Sequence, residues 1–431
     1  MGKYELTLQI YVDFKWQDVG LVKVDSKTDS IGYKAPSRFE YDFTYLDKYS
    51  EHLFKQNNYA VSLNYPLSFE LFQSSYWSAF LLDIIPSGAA RNFWLKKLNL
   101  QDGPTADIQL LQNGSFNPPG NIRIKPEHSP QIESHHGFTQ QDIVENSTDF
   151  IEYAESMGAI VAGASGAQGV SPKLLMVQDS NNYWHADLSL ADHDIKKHWL
   201  IKFSRHQKKI DQLILELEYK YHLIAKKLGL NVYGDYEFKN NTLFIPRFDR
   251  QIEGQKIFHH GLESFTSALN IADFATFHKA DDFLTLINTF STQAKHDIKE
   301  YLLRDFANIC LGNTDNHGRN FAFLKTDKAI TLSPLYDFAP MKLDPEIIPR
   351  ATKWTHESGH IPSFKALCQQ LENLKFTQKE IHEFFKDCLL RLQNLPNYIN
   401  QQNIDQRIQN RITAKYDLFM QALNDWVKNE T

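Results

Sequence analysis

An α+β fold of two lobes, with strands gathered in the first half and helices in the second, is what this sequence predicts. Three observations predict it. Leu6, Leu8, Ile10 and Val12 alternate with Thr7, Gln9 and Tyr11, which is the two-residue period of a strand with one buried face. Short apolar runs at Lys173–Val177, Trp199–Phe203 and Thr242–Phe248 read as further strands. From Leu262 onward the period is mostly helical. A chain of 431 residues is long enough for two or three such lobes.

Taken in order, Asp18-Val19-Gly20-Leu21-Val22 follows the first strand after a turn and predicts its antiparallel partner. Tyr59–Leu67 reads as another strand, stopped by Pro66. Phe69–Ile85 and Ser87–Leu98 carry helical spacing with a break at Pro86. Asn113–Gly120 and Glu127–Gly137 are rich in Gly, Pro, Asn, Ser and His, so the first boundary falls there. The expected organisation is a β-rich N-terminal subdomain over 1–125, a linker over 126–150, an N-lobe over 151–250 and a helical C-lobe over 251–431. Ile210–Leu228 predicts a helix stopped by Gly229. The clearest later helices are Phe283–Phe290, His296–Leu311, Lys379–Leu392 and Ile404–Val427.

Composition excludes several classes. Lys and Arg number 46 against 52 Asp and Glu, a net charge of −6, so broad contact with a phosphate backbone is disfavoured. A local basic patch at Lys196, Lys197, Arg205, Lys208 and Lys209 remains. Three scattered cysteines, Cys310, Cys368 and Cys388, argue against a disulfide framework and a Cys-ligated zinc. No charged-then-apolar leader and no membrane-length apolar run is read, so the expectation is a cytoplasmic protein without a membrane partner.

The stretch that carries chemistry is Leu311-Gly312-Asn313-Thr314-Asp315-Asn316-His317-Gly318-Arg319-Asn320, followed by Leu335-Tyr336-Asp337-Phe338. An Asp, an Asn after four residues and a second Asp behind an apolar strand have the order and spacing of a kinase catalytic loop and its metal-binding Asp. Phosphoryl transfer needs a carboxylate that receives the proton of the attacking hydroxyl, and oxygen ligands that hold Mg²⁺ against the nucleotide phosphates. Asp315 suits the first role; Asn320 and Asp337 suit the second. The bland alternative is a polar turn, because Asn, Asp and Gly are ordinary turn residues.

Lys202 lies within Trp199-Leu200-Ile201-Lys202-Phe203, and Glu218 lies within the following helix. A strand Lys paired with a helix Glu aims an ammonium at nucleotide phosphates. The plainer readings are a Lys on an edge strand with its stem packed along the sheet, and a Glu on a solvated face, with Glu216 a rival for the pairing. Gly163-Ala164-Ser165-Gly166-Ala167-Gln168 is a Gly-rich loop whose backbone suits a phosphate cradle, although it is neither a Walker A motif nor the Gly-x-Gly-x-x-Gly of protein kinases. Phe248 and Asp249 stand where an inter-lobe hinge would meet adenine and ribose. The alternative is a salt bridge among Arg247, Asp249 and Arg250 at a strand end.

Together these residues resemble the HipA family of serine/threonine kinase toxins of bacterial toxin–antitoxin pairs. The match runs through Ser165–Gln168, Lys202, Glu218 with Ala225–Leu230, Arg247–Arg250, Gly312–Phe321 and Leu332–Asp337. Val19-Gly20, Ser62–Leu67 and Phe80–Ser87 extend it into the N-terminal part. The resemblance implies a two-lobed protein-kinase-like fold with an N-terminal β-rich subdomain and a mainly helical C-lobe. It implies ATP and Mg²⁺ as cofactors, Asp315 as catalytic base, Asn320 and Asp337 as metal ligands, and Lys202 on the ATP phosphates. Gly163, Ala164, Ser165, Gly166, Ala167 and Gln168 would cover those phosphates, Arg247, Phe248 and Asp249 would hold adenine through their backbone, and Glu218 and His317 would complete the nucleotide site. The implied substrate is a Ser or Thr of a translation-related protein, an aminoacyl-tRNA synthetase among the options, with growth arrest as the output. The implied partner is a helix-turn-helix antitoxin, with DNA reached through it.

The family's autophosphorylated Ser, three residues before the Gly of Gly-Ala-Gln, is Gly163 here; Ser165 and then Ser171 are the nearest candidates. Three other readings stand beside this one: a small-molecule kinase of the aminoglycoside or choline type, a pseudokinase acting as a binding module or co-repressor, and a metal hydrolase built on Asp315, His317 and other histidines. The last is weakest, because adjacent pairs such as His259-His260 and His135-His136 point to opposite faces of a strand.

Overall fold

The period of Leu6, Leu8, Ile10 and Val12 becomes a buried strand face in a computed structural model of the chain, which describes residues 4–25, 29–127, 137–146, 149–150, 172–204, 208–274 and 276–429. The fold is α+β, two-lobed and kinase-like. Two compact units interleave along the chain. The first takes 1–205, 234–275 and 322–333; the second takes 206–233, 276–321 and 334–431.

In the first unit, β1 (Tyr4–Val12), β2 (Lys15–Val24), β3 (Ser37–Tyr41), β4 (Phe72–Ser74) and β5 (Ile122–Ile124) form an antiparallel sheet in the order β4-β3-β2-β1-β5. The register shifts between Leu8 and Gln9, so a polar residue enters the buried set. Its amide is satisfied there: Gln9 Nε2 donates to Asp18 at 2.7 Å, and Arg123 Nε donates to Gln9 Oε1 at 2.9 Å. Leu8, Ile10, Val22, Phe39 and Leu111 are fully buried at the centre of this core.

Two expectations fail in this region. Tyr59–Leu67 is a series of turns with an isolated bridge between Ser62 and Tyr65. Its polar groups go to Glu263, which accepts from Ser62 Oγ at 2.6 Å and from Leu63 N at 2.8 Å, while Lys325 Nζ closes the group at 3.1 Å. A buried carboxylate has taken the backbone donors that a ladder would have used. Phe69–Ile85 is not one helix: it holds β4 and a single helical turn at Leu81–Ile84. The helix after Pro86 forms as expected, over Gly88–Lys97.

The second sheet is built from β6 (Lys173–Asp179), β7 (Trp184–Ala186), β8 (Ile195–Phe203), β9 (Glu237–Lys239) and β10 (Thr242–Pro246), all antiparallel, in the order β7-β6-β8-β10-β9. Trp184, Trp199, Phe244, Met176 and Phe150 fill one face. At the end of β10 an ion network ties this sheet to the chain just before β5. Asp249 accepts from Arg247 at 2.9 and 2.7 Å, from Arg250 at 2.7 Å and from the Gly120 N–H at 2.8 Å; Arg247 also reaches Asp187 at 2.5 Å. Burial alone would raise the Asp249 carboxyl, but the two guanidinium groups hold it well below the usual range. A small antiparallel sheet of Gly261–Ser264, Ala322–Lys325 and Ile330–Leu332 completes the unit.

The second unit is helical. Lys209–Leu228 ends on Gly229 in the left-handed conformation (φ 74°), as the Gly stop predicts. Ala280–Phe290, Ala294–Leu311, Phe364–Asn373 and Gln378–Gln393 follow. Ile404–Val427 divides into Gln406–Ile412 and Tyr416–Asn429, because Thr413 ends the first helix by returning its hydroxyl to Gln409 O at 2.8 Å. Phe306 meets Phe419 at 5.1 Å between ring centroids, and Phe364 meets Phe385 at 5.4 Å. Each such ring contributes about 1.5–3 kcal/mol on burial. No helix among the described residues is long and apolar enough to cross a membrane.

Candidate active site

The candidate loop begins where the helix Ala294–Leu311 stops. Gly312 takes φ 65°, and a Cβ there would lie 2.8 Å from the Ile412 carbonyl oxygen, so both backbone and space require glycine. The chain then folds on its own side chains. Asn313 donates to Asn308 Oδ1 at 2.9 Å, and Asp315 N donates to Asn313 Oδ1 at 3.3 Å. Asn316 is buried and clamps the segment 351–352: its Nδ2 donates to Thr352 O at 2.9 Å, its Oδ1 accepts from Ala351 N and Thr352 N at 3.1 Å each, and Thr352 Oγ1 returns a bond to Asn316 O at 2.6 Å. Arg350 in turn sets its Nη2 between both Asp305 carboxylate oxygens, at 2.6 and 2.7 Å. Sequence reasoning did not include Asn316, Thr352, Arg350 or Asp305. The only signal was an uncommonly Asn-rich loop.

Asp315 is left with a partly open carboxylate, 30% exposed. His317 Nε2 lies 3.4 Å from its Oδ1. Burial holds His317 below the usual imidazole range, with Arg319 pushing the same way against Asp315 and Asp337. Its Nδ1 accepts from Arg319 N at 3.2 Å, so the neutral ring carries its proton on Nε2, facing Asp315. Asn320 Nδ2 donates to the Asp315 carbonyl at 2.7 Å, and Asn320 Oδ1 is buried with no partner among the described residues. An orphaned buried acceptor is costly unless something else binds it.

The second Asp is fastened to the same loop. Tyr336 Oη donates to Arg319 O at 2.8 Å, Leu335 N to Asn231 O at 2.8 Å and Lys342 N to Gly312 O at 3.0 Å. Between these ties Asp337 takes φ 50°, uncommon for a residue with a side chain. Such strain persists where the surroundings over-determine it and clusters at functional sites. Asn320 Oδ1 and the Asp337 carboxylate are hard oxygen donors, the set that suits Mg²⁺ when substrate phosphates and water supply the remaining ligands. The fit is to a cation shared with a nucleotide; among the described residues no group of three or more His, Cys, Asp or Glu side chains could hold a metal by itself.

Lys202 belongs to the first unit. It sits on β8, the central strand of its sheet, opposite Leu243 on one side and Lys173 on the other, and it is buried. The edge-strand alternative therefore fails. The register places the two lysines directly opposite on one face of the sheet. Lys173 was not among the sequence candidates; only its place after the Gly-rich loop marked it. Glu218 is buried in the helix Lys209–Leu228 of the second unit, while Glu216 pairs with Lys220 at 2.7 Å on a more open face. The Arg247 and Asp249 side chains are spent in the buried network described above; the Arg247 N–H also donates to His198 O at 3.0 Å, and the Asp249 carbonyl accepts from His260 N at 2.9 Å. Gly163, Ala164, Ser165, Gly166, Ala167, Gln168 and Ser171 lie outside the described residues.

The family model of the HipA-like C-terminal domain matches residues 165–395, more than half of the chain. Y4mE of Sinorhizobium fredii is 21% identical over 327 residues, which is 72% of this chain and 74% of that protein. The serine/threonine-protein kinase toxin HipA of Shewanella oneidensis is 22% identical over 294 residues, covering 62% of this chain and 63% of that toxin. A chain of the solved complex of HipA, HipB and operator DNA from Shewanella oneidensis MR-1 superposes with a TM-score of 0.70 at 16% identity. The alignment covers 98% of this chain and 99% of that one, a likeness of fold. With the family model matched over that span and the fold shared from end to end, this chain belongs to the HipA-like C-terminal domain family.

Proposed function

We propose that this chain is an ATP- and Mg²⁺-dependent serine/threonine protein kinase. The observation that carries the reading is the loop 312–320: Asp315 has a partly open carboxylate, Asn320 braces the Asp315 carbonyl and keeps an unpartnered buried oxygen among the described residues, and Tyr336, next to Asp337, bonds Arg319 O of the same loop. Asp315 orients the acceptor hydroxyl and takes its proton as the new P–O bond forms and the bond from the γ-phosphorus to ADP breaks. The neutral His317, its Nε2 3.4 Å from Asp315 Oδ1, would orient that carboxylate. Asn320 Oδ1 and Asp337 would hold Mg²⁺, which when bound would neutralise charge on the nucleotide phosphates. Lys202, with Lys173 opposite, presents positive charge to the same phosphates, and Glu218 is the proposed partner of Lys202. The backbone of Arg247–Asp249 holds adenine, and the loop 163–168 covers the phosphates.

The substrate follows the family: a translation-related protein, an aminoacyl-tRNA synthetase among the options, whose phosphorylation arrests growth. The Shewanella relative was solved with HipB and operator DNA, so a DNA-binding antitoxin is the partner proposed for this chain. Ser165, then Ser171, are the proposed autophosphorylation sites, where added charge would push the loop away from the equally negative ATP.

The test is transfer of the γ-phosphate from ATP·Mg²⁺ into a bacterial lysate by the wild type and by Asp315→Asn, with mass spectrometry reading the sites. Phosphoserine or phosphothreonine on a specific protein, lost in the variant, is the expected result. ATP binding with no transfer by either protein would overturn the reading.

A further inference from the structure

The start of the candidate loop carries a second feature, on the side of the helical unit where Gly312 is packed. Three cations converge there. Lys342 follows the loop's second Asp by five residues; its N–H bonds Gly312 O at 3.0 Å, and its Cβ lies 3.4 Å from where a Gly312 Cβ would stand. Arg411 immediately precedes Ile412, whose carbonyl is the other wall around Gly312. Lys415 follows three residues later, with its Nζ 3.5 Å from the position of a Cβ on Gly359. Lys342 and Arg411 are exposed and Lys415 is half-buried.

These cations face one another without compensation. Burial lowers the Lys342 ammonium below its usual range, and Lys415 and Arg411 lower it further, with no carboxylate acting in the other direction. No ion pair reaches any of the three among the described residues. Other surface cations of the helical unit behave otherwise: Lys295 pairs with Glu380 at 2.8 Å and Arg391 with Asp387 at 2.8 Å. In a chain of net charge −6, a self-repelling cluster beside the loop is a cost that a bound anion would remove.

We propose that Lys342, Arg411 and Lys415 form a docking site for an acidic stretch of the protein substrate, seated beside the acceptor hydroxyl. For its substrate the proposal rests on the kinase reading; for binding it stands alone. Asp315 stands three positions after Gly312, so the Gly312 backbone against which the cluster packs lies within about 11 Å of the backbone of the proposed base. An extended substrate covers about 3.3 Å per residue, which places its carboxylates roughly three to six residues from the accepting Ser or Thr. Nucleic acid fits less well, because its binding draws on about six to ten phosphate contacts and only three cations converge here.

The test is fluorescence anisotropy on the full chain with three labelled peptides: one Ser followed by four Glu from the third position on, its reverse with the Glu before the Ser, and a control with Gln for Glu. A ten-nucleotide single-stranded RNA is the fourth probe. We expect one Glu peptide to bind at least tenfold more tightly than the Gln control. That preference is expected to disappear in K342Q/R411Q/K415Q, whose melting temperature should be no lower than that of the wild type because a repulsion among the three is removed. In kinase assays the same variant should raise KM for the Glu peptide with kcat unchanged. Equal binding of Glu and Gln peptides, a preference that survives in the triple variant, or tighter binding of the RNA through the same residues would each overturn the proposal. Absence of phosphotransfer would sink the kinase reading alone, since the anisotropy measurements decide the docking site without turnover.

Discussion

Asn320 donates its amide to the Asp315 carbonyl at 2.7 Å, and the same bond turns its Oδ1 into a buried position without a partner among the described residues. One side chain thus braces the loop with its nitrogen and offers an acceptor with its oxygen. Asn320→Ala removes both, and Asn320→Asp keeps oxygen donors but sets a carboxylate against the Asp315 carbonyl. Phosphotransfer by the Ala variant should fall by about 10²–10³, and the Mg²⁺ concentration for half-maximal rate should rise at least tenfold. The Asp variant should regain part of the metal affinity and little of the rate. A Mg²⁺ titration of the rate checks this; an unchanged midpoint in Asn320→Ala would remove Asn320 from the metal site.

Gly312→Ala tests how the loop is launched. The new Cβ would enter a left-handed position and meet Ile412 O at 2.8 Å, with backbone rather than a flexible side chain as the obstacle. The cost should be about 1–3 kcal/mol in urea unfolding. Activity should fall further than stability at permissive temperature, because Asp315 is three residues away. Full activity in a destabilised variant would show that the loop is positioned from Asn316 and Asp337 instead.

Much of this was legible in the sequence, for identifiable reasons. The loop 311–320 and Asp337 stand close together along the chain, so order and spacing express the chemistry directly. Helices such as Lys209–Leu228 carried their period and their Gly stop. What could not be read came from distant partners: Tyr59–Leu67 has a strand's composition, yet Glu263, some two hundred residues away, takes its donors. Lys202 was readable as a strand Lys, but its central place and its opposition to Lys173 depend on sheet order. Asn316 and Thr352 were missed because a clamp between segments has no local pattern.

Stability should fall with acid below neutrality. Burial, with help from His317 and Arg319, depresses His278 from 6.5 to about 4. His198 and His259 are also lowered, by burial first. The unfolded chain then binds more protons than the folded one between about 6.5 and 4, so stability is present above that window and is lost as pH falls through it. The urea midpoint should drop steadily from pH 7 to pH 4.5, and His278→Gln should flatten part of the slope. A midpoint independent of pH across that range would contradict the buried, neutral state of these rings.

The Asp305–Arg350 pair separates stability from chemistry at the loop. Asp305 is fully buried, accepts from Arg350 Nη2 at both of its oxygens and from Trp354 Nε1 at 2.9 Å; Arg350 Nε donates to Thr352 O at 2.9 Å, and Thr352 is the residue that Asn316 clamps. Arg350→Met leaves a buried carboxylate with one indole donor, and should cost about 3–5 kcal/mol in unfolding free energy. Arg350→Lys keeps the charge but not the fork, so its cost should be intermediate. Adding Asp305→Leu to Arg350→Met removes the stranded charge and should recover much of the stability. Recovery of activity should not follow, because the donor to Thr352 is still missing and the Asn316 clamp is slack. If the double variant regained both, the pair would serve only the core, and the loop would hold its geometry without it.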